Sequence, residues 1–248
     1  MIRGSLQVRE AYRDERVADR YVDERFREPL GALLHARQVA CLTRVLQKLK
    51  PQRVLEIAPG PARLTVDVAP FLGPRPVLID ASAQMLAQAR RRLGSRVAAT
   101  CRFIHGDAFS LPFTSTFDCV YTFRLIRHFE QEDRKRLYAQ IARVLRPGGV
   151  LVFDAVNEVV SRPFRQANPG EHQHYDALLQ RDELEQELQS SGFRLMETHG
   201  VQRRYPVLAG LQVLVAPRSR LLARGAMEVV DRVGGGPPLE WIVTCTRE

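Results

Sequence analysis

Between residues 51 and 155 the apolar positions fall into short unbroken runs separated by longer stretches in which they recur every three or four residues. Runs at 53–57, 77–79, 102–104, 117–121 and 150–153 read as buried strands, and the stretches at 64–72, 83–93 and 131–145 read as helices with one apolar face. Strand and helix alternating in this way predict an α/β fold, a mostly parallel sheet with helices on both faces.

The flanks follow other patterns. Residues 10–28 carry balanced charge, and Leu33, Leu34, Val39, Leu42, Val45, Leu46 and Leu49 fall at helical spacing, which predicts a helical N-terminal cap over 1–50 that ends at Pro51. Residues 156–178 read as an irregular polar insert, 181–190 as a helix stopped by Gly192, and 193–198 as a strand. A second insert, 200–238, carries a helix near 218–233 that the run Gly234-Gly235-Gly236-Pro237-Pro238 breaks, and 239–246 reads as the closing strand. The core is therefore expected at 51–199 plus 239–248. On the insert helix, Leu221, Leu222, Ala226, Val229, Val230 and Val233 make an apolar seam flanked by Arg218, Arg220, Arg224 and Arg232. Such a seam suits a lid packed on the sheet, a peripheral membrane contact through 207–233, or a dimer contact.

Composition narrows the classes. With 45% hydrophobic residues in 248, the chain can bury the core of one elaborated domain. The longest apolar run, 207–216, is too short to span a bilayer, and the first residues lack a secretory pattern, so a cytoplasmic location is expected. The formal net charge is +9, but the basic residues are scattered, with lysine only at 48, 50 and 135, and no dense tract marks a nucleic-acid surface. Cys41, Cys101, Cys119 and Cys245 lie far apart without a CxxC pair, and His172 and His174 lack a third ligand nearby, so no metal site is expected. Monomer and homodimer are both compatible with the sequence.

Three acidic residues stand at three successive strand ends. In 54–65, VLEIAPGPARLT, a buried strand runs into a turn and then a helix, with small residues at Ala58, Gly60 and Ala62 that let a ligand approach the backbone. The GxGxxG spacing that receives a pyrophosphate is absent, and Glu56 would repel a pyrophosphate but attract an ammonium group. An amino-acid-bearing nucleoside is thus favoured over a nicotinamide dinucleotide. Asp80 ends the second strand, where a carboxylate can accept from two ribose hydroxyls or cap the next helix. Asp107, in Gly106-Asp107-Ala108, ends the third, placed to accept from an adenine amine. Beyond the fourth strand, His128 is a candidate general base, and Arg124 and Arg127 are candidates for holding an anionic acceptor.

Taken in order, VLEIAPGPARLT, LIDAS with Met85, GDAFSLPF, FDCVYTFRLIRHF and LRPGGVLVFD resemble the motif set of class I S-adenosylmethionine-dependent methyltransferases, especially the ubiquinone/menaquinone-biosynthesis-like group, over 51–155. The resemblance implies a Rossmann-like sheet of seven strands, the last antiparallel, with S-adenosylmethionine as cofactor and a small-molecule acceptor for the methyl group. It also implies that Glu56, Ala58 and Gly60 hold the methionine part, that Asp80 and Ala81 hold the ribose, and that Met85, Asp107, Ala108 and Phe109 surround the adenine. Phe123 and Arg124 would follow at the fourth strand, and Tyr21 would close over the cofactor. The chain departs from the family at Ala58 and Ala62, where glycines are usual, and adds Pro59 and Pro61. The competing reading is a subunit that binds S-adenosylmethionine without turnover.

Overall fold

In the computed structural model, residues 26–167 and 175–248 are described. The cap contributes α1 (Pro29–Leu49), and the core opens with β1 (Val54–Ile57), α2 (Arg63–Val68), β2 (Val77–Asp80), α3 (Ala83–Ala98), β3 (Arg102–His105) and β4 (Phe117–Thr122). It continues through α4 (Gln131–Val144), β5 (Leu145–Asn157), α5 (Glu158–Ala167), β6 (Leu178–Leu179), α6 (Arg181–Ser190) and β7 (Phe193–Arg203). A helical hairpin, α7 (Tyr205–Leu214) and α8 (Arg220–Val233), precedes the last strand, β8 (Pro238–Arg247).

The sheet runs β3-β2-β1-β4-β5-β8-β7, with the short β6 beside β5. The pairs among β1 to β6 are parallel, while β8 is antiparallel to both β5 and β7. The chain leaves β1 towards β3 on one side and returns to β4 on the other. A crevice therefore opens at the carboxyl ends of β1 and β4.

Side-chain alternation along the strands feeds two layers. Leu55, Ile57, Val120, Leu151 and Phe153 face α4 and α6 through Leu137, Tyr138, Ile141, Leu184 and Leu188. Val54, Cys119, Tyr121 and Val152 face α1 and α2 through Leu42, Leu46, Leu64 and Val68. Fully burying side chains of this kind contributes about 1.5–3 kcal/mol each, which is why these positions hold the chain in register.

Several boundaries differ from the sequence expectation. The two-residue β6 makes the sheet eight-stranded rather than seven, because two residues after Asp176 pair with Val156 and Asn157 at the end of β5. The insert read as irregular holds α5. Strand β7 extends to Arg203 because β8 pairs with it along its length, although 199–203 has no apolar run. The second insert holds two helices. The first, α7, has apolar residues on all sides and so shows no helical period in the sequence, and it packs with α8 on α1 through Leu33, Leu208, Ala216, Ala223 and Met227.

Candidate active site

The turn after β1 takes its shape from an alternation of left-handed residues and prolines. Ala58, Gly60 and Ala62 have φ of 53°, 56° and 58°, and Pro59 and Pro61 separate them. Alanine there costs more than it would at the negative φ that most residues adopt, about 1–2 kcal/mol each for an L-residue in this region. Hydrogen bonds hold the turn in place. Ala58 N–H donates to Ile79 O at 2.8 Å, Gly60 N–H to Asp80 Oδ2 at 3.0 Å and Ala62 N–H to Pro59 O at 3.1 Å. Prolines have no N–H, so every donor from 58 to 62 is already used. A turn of this kind has nothing left to offer a pyrophosphate, which gives the missing GxGxxG a structural counterpart. A Cβ built at Gly60 meets no atom within 4 Å, so the backbone is open to a ligand at that point.

Glu56 lies opposite Tyr121 in the parallel register of β1 and β4 and is 5% exposed. Its Oε2 accepts from Thr65 Oγ1 at 2.5 Å and from Tyr121 Oη at 2.8 Å. Burial pushes the carboxyl up to about 7 despite these two hydroxyls and the nearby Arg63. A buried carboxylate that ionises with such difficulty would gain from a cationic partner.

Asp80 ties two strand ends together. Its Oδ2 accepts from Gly60 N and its Oδ1 from Ser82 N at 2.8 Å, while burial raises its pKa and these backbone donors oppose the rise. The cap of α3 is Ser82, whose hydroxyl accepts from Met85 N at 3.2 Å, so Asp80 is not the helix cap. With Ala81 N–H as a third backbone donor, the carboxylate still keeps acceptor capacity for a ligand. At the next strand end, Asp107 Oδ1 accepts from Phe109 N at 3.0 Å, and His105 Nε2 meets Ala81 O at 3.0 Å.

These elements enclose one cavity of about 350 Å³. Glu56, Ala58, Gly60, Asp80, Ala81, Met85, Asp107, Ala108, Phe109, Phe123 and Arg124 all line it. Tyr21, His172 and His174 lie outside the described residues. His128 does not line the cavity. Its ring is buried with Nδ1 3.0 Å from Tyr175 O and 3.1 Å from Asp176 Oδ1. Arg127 is turned the same way, donating from Nη1 to Glu240 Oε1 at 2.6 Å and Asp154 Oδ2 at 3.2 Å, and from Nε to Asp176 Oδ1 at 2.9 Å. Burial alone would raise the Asp176 pKa, but His128 and Arg127 hold it well below the carboxylate range. The expectation of His128 as a base and Arg127 as an acceptor contact therefore meets a buried ionic cluster behind the cavity wall.

Arg124 stays at the wall, with φ of 60° and its N–H donating to Asp154 Oδ1 at 2.5 Å. Arg63, the first residue of α2, also lines the cavity, and sequence reasoning missed it. It donates to Gln38 Oε1 at 2.7 Å, contacts His35 Nδ1, and lies 3.9 Å from the Phe26 ring centroid. The available signal was its place directly after the turn. Its partners, on the cap helix and just before it, are 25 to 37 residues away in sequence.

Residues 54–149 match the family profile described as a methyltransferase domain. Among curated relatives, an O-methyltransferase of Pyrenophora dematioidea is 29% identical over 67% of this chain and 64% of its own. The ubiquinone/menaquinone biosynthesis C-methyltransferase of Stutzerimonas stutzeri is 35% identical over 46% of each. Over 54–149 the chain is thus similar to methyltransferase domains. The chain spans about half to two-thirds of the length of these relatives. Magnesium protoporphyrin IX methyltransferase from Synechocystis, solved with bound S-adenosylhomocysteine, has the same fold, with a TM-score of 0.68 at 14% identity over 99% of this chain and 100% of that one. In this fold, the three acids at the ends of β1, β2 and β3 stand where the crevice opens.

Proposed function

We propose that the protein transfers a methyl group from S-adenosylmethionine to an O, N, S or C acceptor on a small-molecule metabolite. The observation that carries this reading is the convergence of Glu56, Asp80 and Asp107 on one cavity whose turn has no free N–H for a phosphate. Acidic lining suits a ligand that presents an ammonium, ribose hydroxyls and an exocyclic amine. Glu56 would hold the methionine ammonium, Asp80 the ribose and Asp107 the adenine edge, with Met85 and Phe109 as apolar walls. When bound, S-adenosylmethionine would supply a sulfonium methyl to which the acceptor bonds in line as the carbon–sulfur bond breaks, with S-adenosylhomocysteine as the leaving group.

The chain's own contribution is orientation and water exclusion, worth several powers of ten when the reacting atoms are held in contact. Phe123, Leu125 and Phe129 supply apolar wall, and Arg63 and Arg124 bring positive charge to the same cavity. That pairing suits an acceptor with an acidic oxygen, and the O-methyltransferase among the relatives fits the same choice. Binding without turnover is the second reading, favoured by the placement of His128 outside the cavity.

Calorimetric titration with S-adenosylmethionine and S-adenosylhomocysteine, with NADH as control, tests the cofactor. Asp80→Ala leaves two backbone donors without their acceptor and is expected to weaken both ligands by about 10–100-fold. Failure of the wild type to bind either ligand refutes the reading. Binding with no S-adenosylhomocysteine formed across phenol, carboxylate, amine, thiol and carbon acceptors supports the second reading.

A further inference from the structure

The α7–α8 hairpin is apolar on two opposite faces. One is accounted for, because Leu208, Ala223 and Met227 are fully buried against α1. The other is open, with Leu221, Leu222, Val213 and Val233 exposed to 81%, 67%, 69% and 73%, and with Leu214 and Val229 beside them. α7 carries no charged residue at all. A soluble surface rarely gathers this much aliphatic area on one element without a partner.

Charge on the hairpin is sorted by face. Its two acids are both held by Arg37 of the body, which donates to Asp231 Oδ2 at 2.7 Å and to Glu228 Oε2 at 3.0 Å, and Glu228 also meets Arg232 of the hairpin. Arg218 and Arg224 are exposed near the aliphatic residues, while the exposed Arg220 and Arg232 pair with Glu28 at 2.6 Å and Glu228 at 3.4 Å. An aliphatic face bordered by Arg218 and Arg224, whose two acids are each matched by an arginine, is complementary to a lipid surface carrying negative headgroups. A second copy of the chain would set these arginines against each other across a two-fold interface. The hairpin also sits near the cavity mouth. Glu28 accepts from Arg220 at 2.6 Å and from Gln212 at 3.1 Å, and two residues earlier Phe26 stacks under Arg63 at the cavity wall.

We propose that the exposed face of the α7–α8 hairpin docks the protein on an anionic membrane surface, with Leu221 and Leu222 entering the headgroup region and the arginines meeting the phosphates. Docking here stands apart from the methyl-transfer reading, since it needs no cofactor.

Flotation of the full chain with phosphatidylcholine vesicles, with and without phosphatidylglycerol, tests it. Binding is expected only with phosphatidylglycerol and is expected to weaken as salt is raised. The paired change Leu221→Ser and Leu222→Ser keeps the net charge and is expected to weaken binding roughly tenfold or more. Its unchanged melting temperature and S-adenosylhomocysteine affinity would show that the fold is intact. The pair Arg218→Gln and Arg224→Gln is expected to remove the preference for anionic vesicles. No flotation with anionic vesicles overturns the proposal, as does wild-type flotation of the double serine variant, which would place binding on another basic surface. A dimer seen by light scattering and dispersed by the serine changes, without flotation, would make the face a self-interface and also overturn it.

Discussion

Replacing Glu56 with glutamine separates what the carboxyl does for folding from what it does for the ligand. Its pKa rises from the ordinary 4.5 to about 7 because the group is buried, and the Thr65 and Tyr121 hydroxyls do not restore it. The folded protein therefore binds this proton more tightly than the unfolded chain. Stability from this group is complete below pH 4.5, declines as pH rises towards 7, and is lost above. Each pKa unit corresponds to about 1.36 kcal/mol, so the loss between pH 5 and pH 8 is about 2.5 kcal/mol. Glutamine accepts the same two hydroxyl bonds and does not titrate. Urea unfolding of the unliganded protein at the two pH values is expected to show Glu56→Gln gaining about 2.5 kcal/mol on wild type at pH 8 relative to pH 5. S-adenosylhomocysteine affinity should move the opposite way. An ammonium prefers the ionised carboxylate, so wild-type affinity is expected to fall by up to about tenfold per pH unit below 7, while the variant binds more weakly and without that slope. Stability profiles that run parallel for the two proteins refute the buried-carboxyl argument. Equal ligand affinities refute the ammonium assignment.

The cluster behind the cavity predicts that His128→Ala keeps turnover within about twofold but loses about 1–3 kcal/mol of stability with the buried Tyr175 and Asp176 contacts; a collapse of turnover in a folded variant would return His128 to catalysis. Asp154→Asn leaves Arg127 with one fewer ionised partner in a site where both are nearly inaccessible, and urea unfolding is expected to show a loss of about 3 kcal/mol, with less than about 1 kcal/mol contradicting the role given to the cluster. Ala58→Gly relieves a left-handed alanine and is expected to gain about 0.5–1 kcal/mol after the entropy cost of glycine. Ala62→Gly relieves the same φ but removes a methyl packed with Leu78, Ala89 and Leu93, so its melting temperature should stay near wild type, and equal gains at both positions would contradict this difference.

The parts of the fold legible in the sequence are those built from neighbours. The β1 turn, the Asp80 strand end and the Gly106-Asp107 end are each local βα units, and one apolar run followed by a small or acidic residue marks each of them. The sequence pattern ends α3 at residue 93, and Gly94, with φ of 69°, is where its helical conformation breaks. The surroundings of His128 are not legible in the sequence, for the opposite reason. Its partners Tyr175 and Asp176 lie 47 and 48 residues on, beside a segment that reads only as polar, and no periodicity links them. Glu240, which meets Arg127 across 113 residues, was equally invisible, because β8 reads as an apolar strand in which one acid looks like a solvent-facing position.

The two alanines show how local expectation and tertiary structure divide the work. From sequence, alanine in place of glycine at 58 and 62 costs little only where φ is negative. The turn has the left-handed geometry and bears the strain, because its three donors are fixed from outside or within by Ile79 O, Asp80 Oδ2 and Pro59 O. Pro59 and Pro61 restrict φ between them, so the unfolded chain has less freedom to lose. Asp80 thereby acts twice: it closes the turn through Gly60 N and presents its remaining lone pairs to the cavity. A substitution there should loosen the turn and the ligand together, whereas one at Glu56 should weaken the ligand while stabilising the unliganded protein above pH 7. That opposite response distinguishes the acid that builds the site from the acid that the site holds under tension.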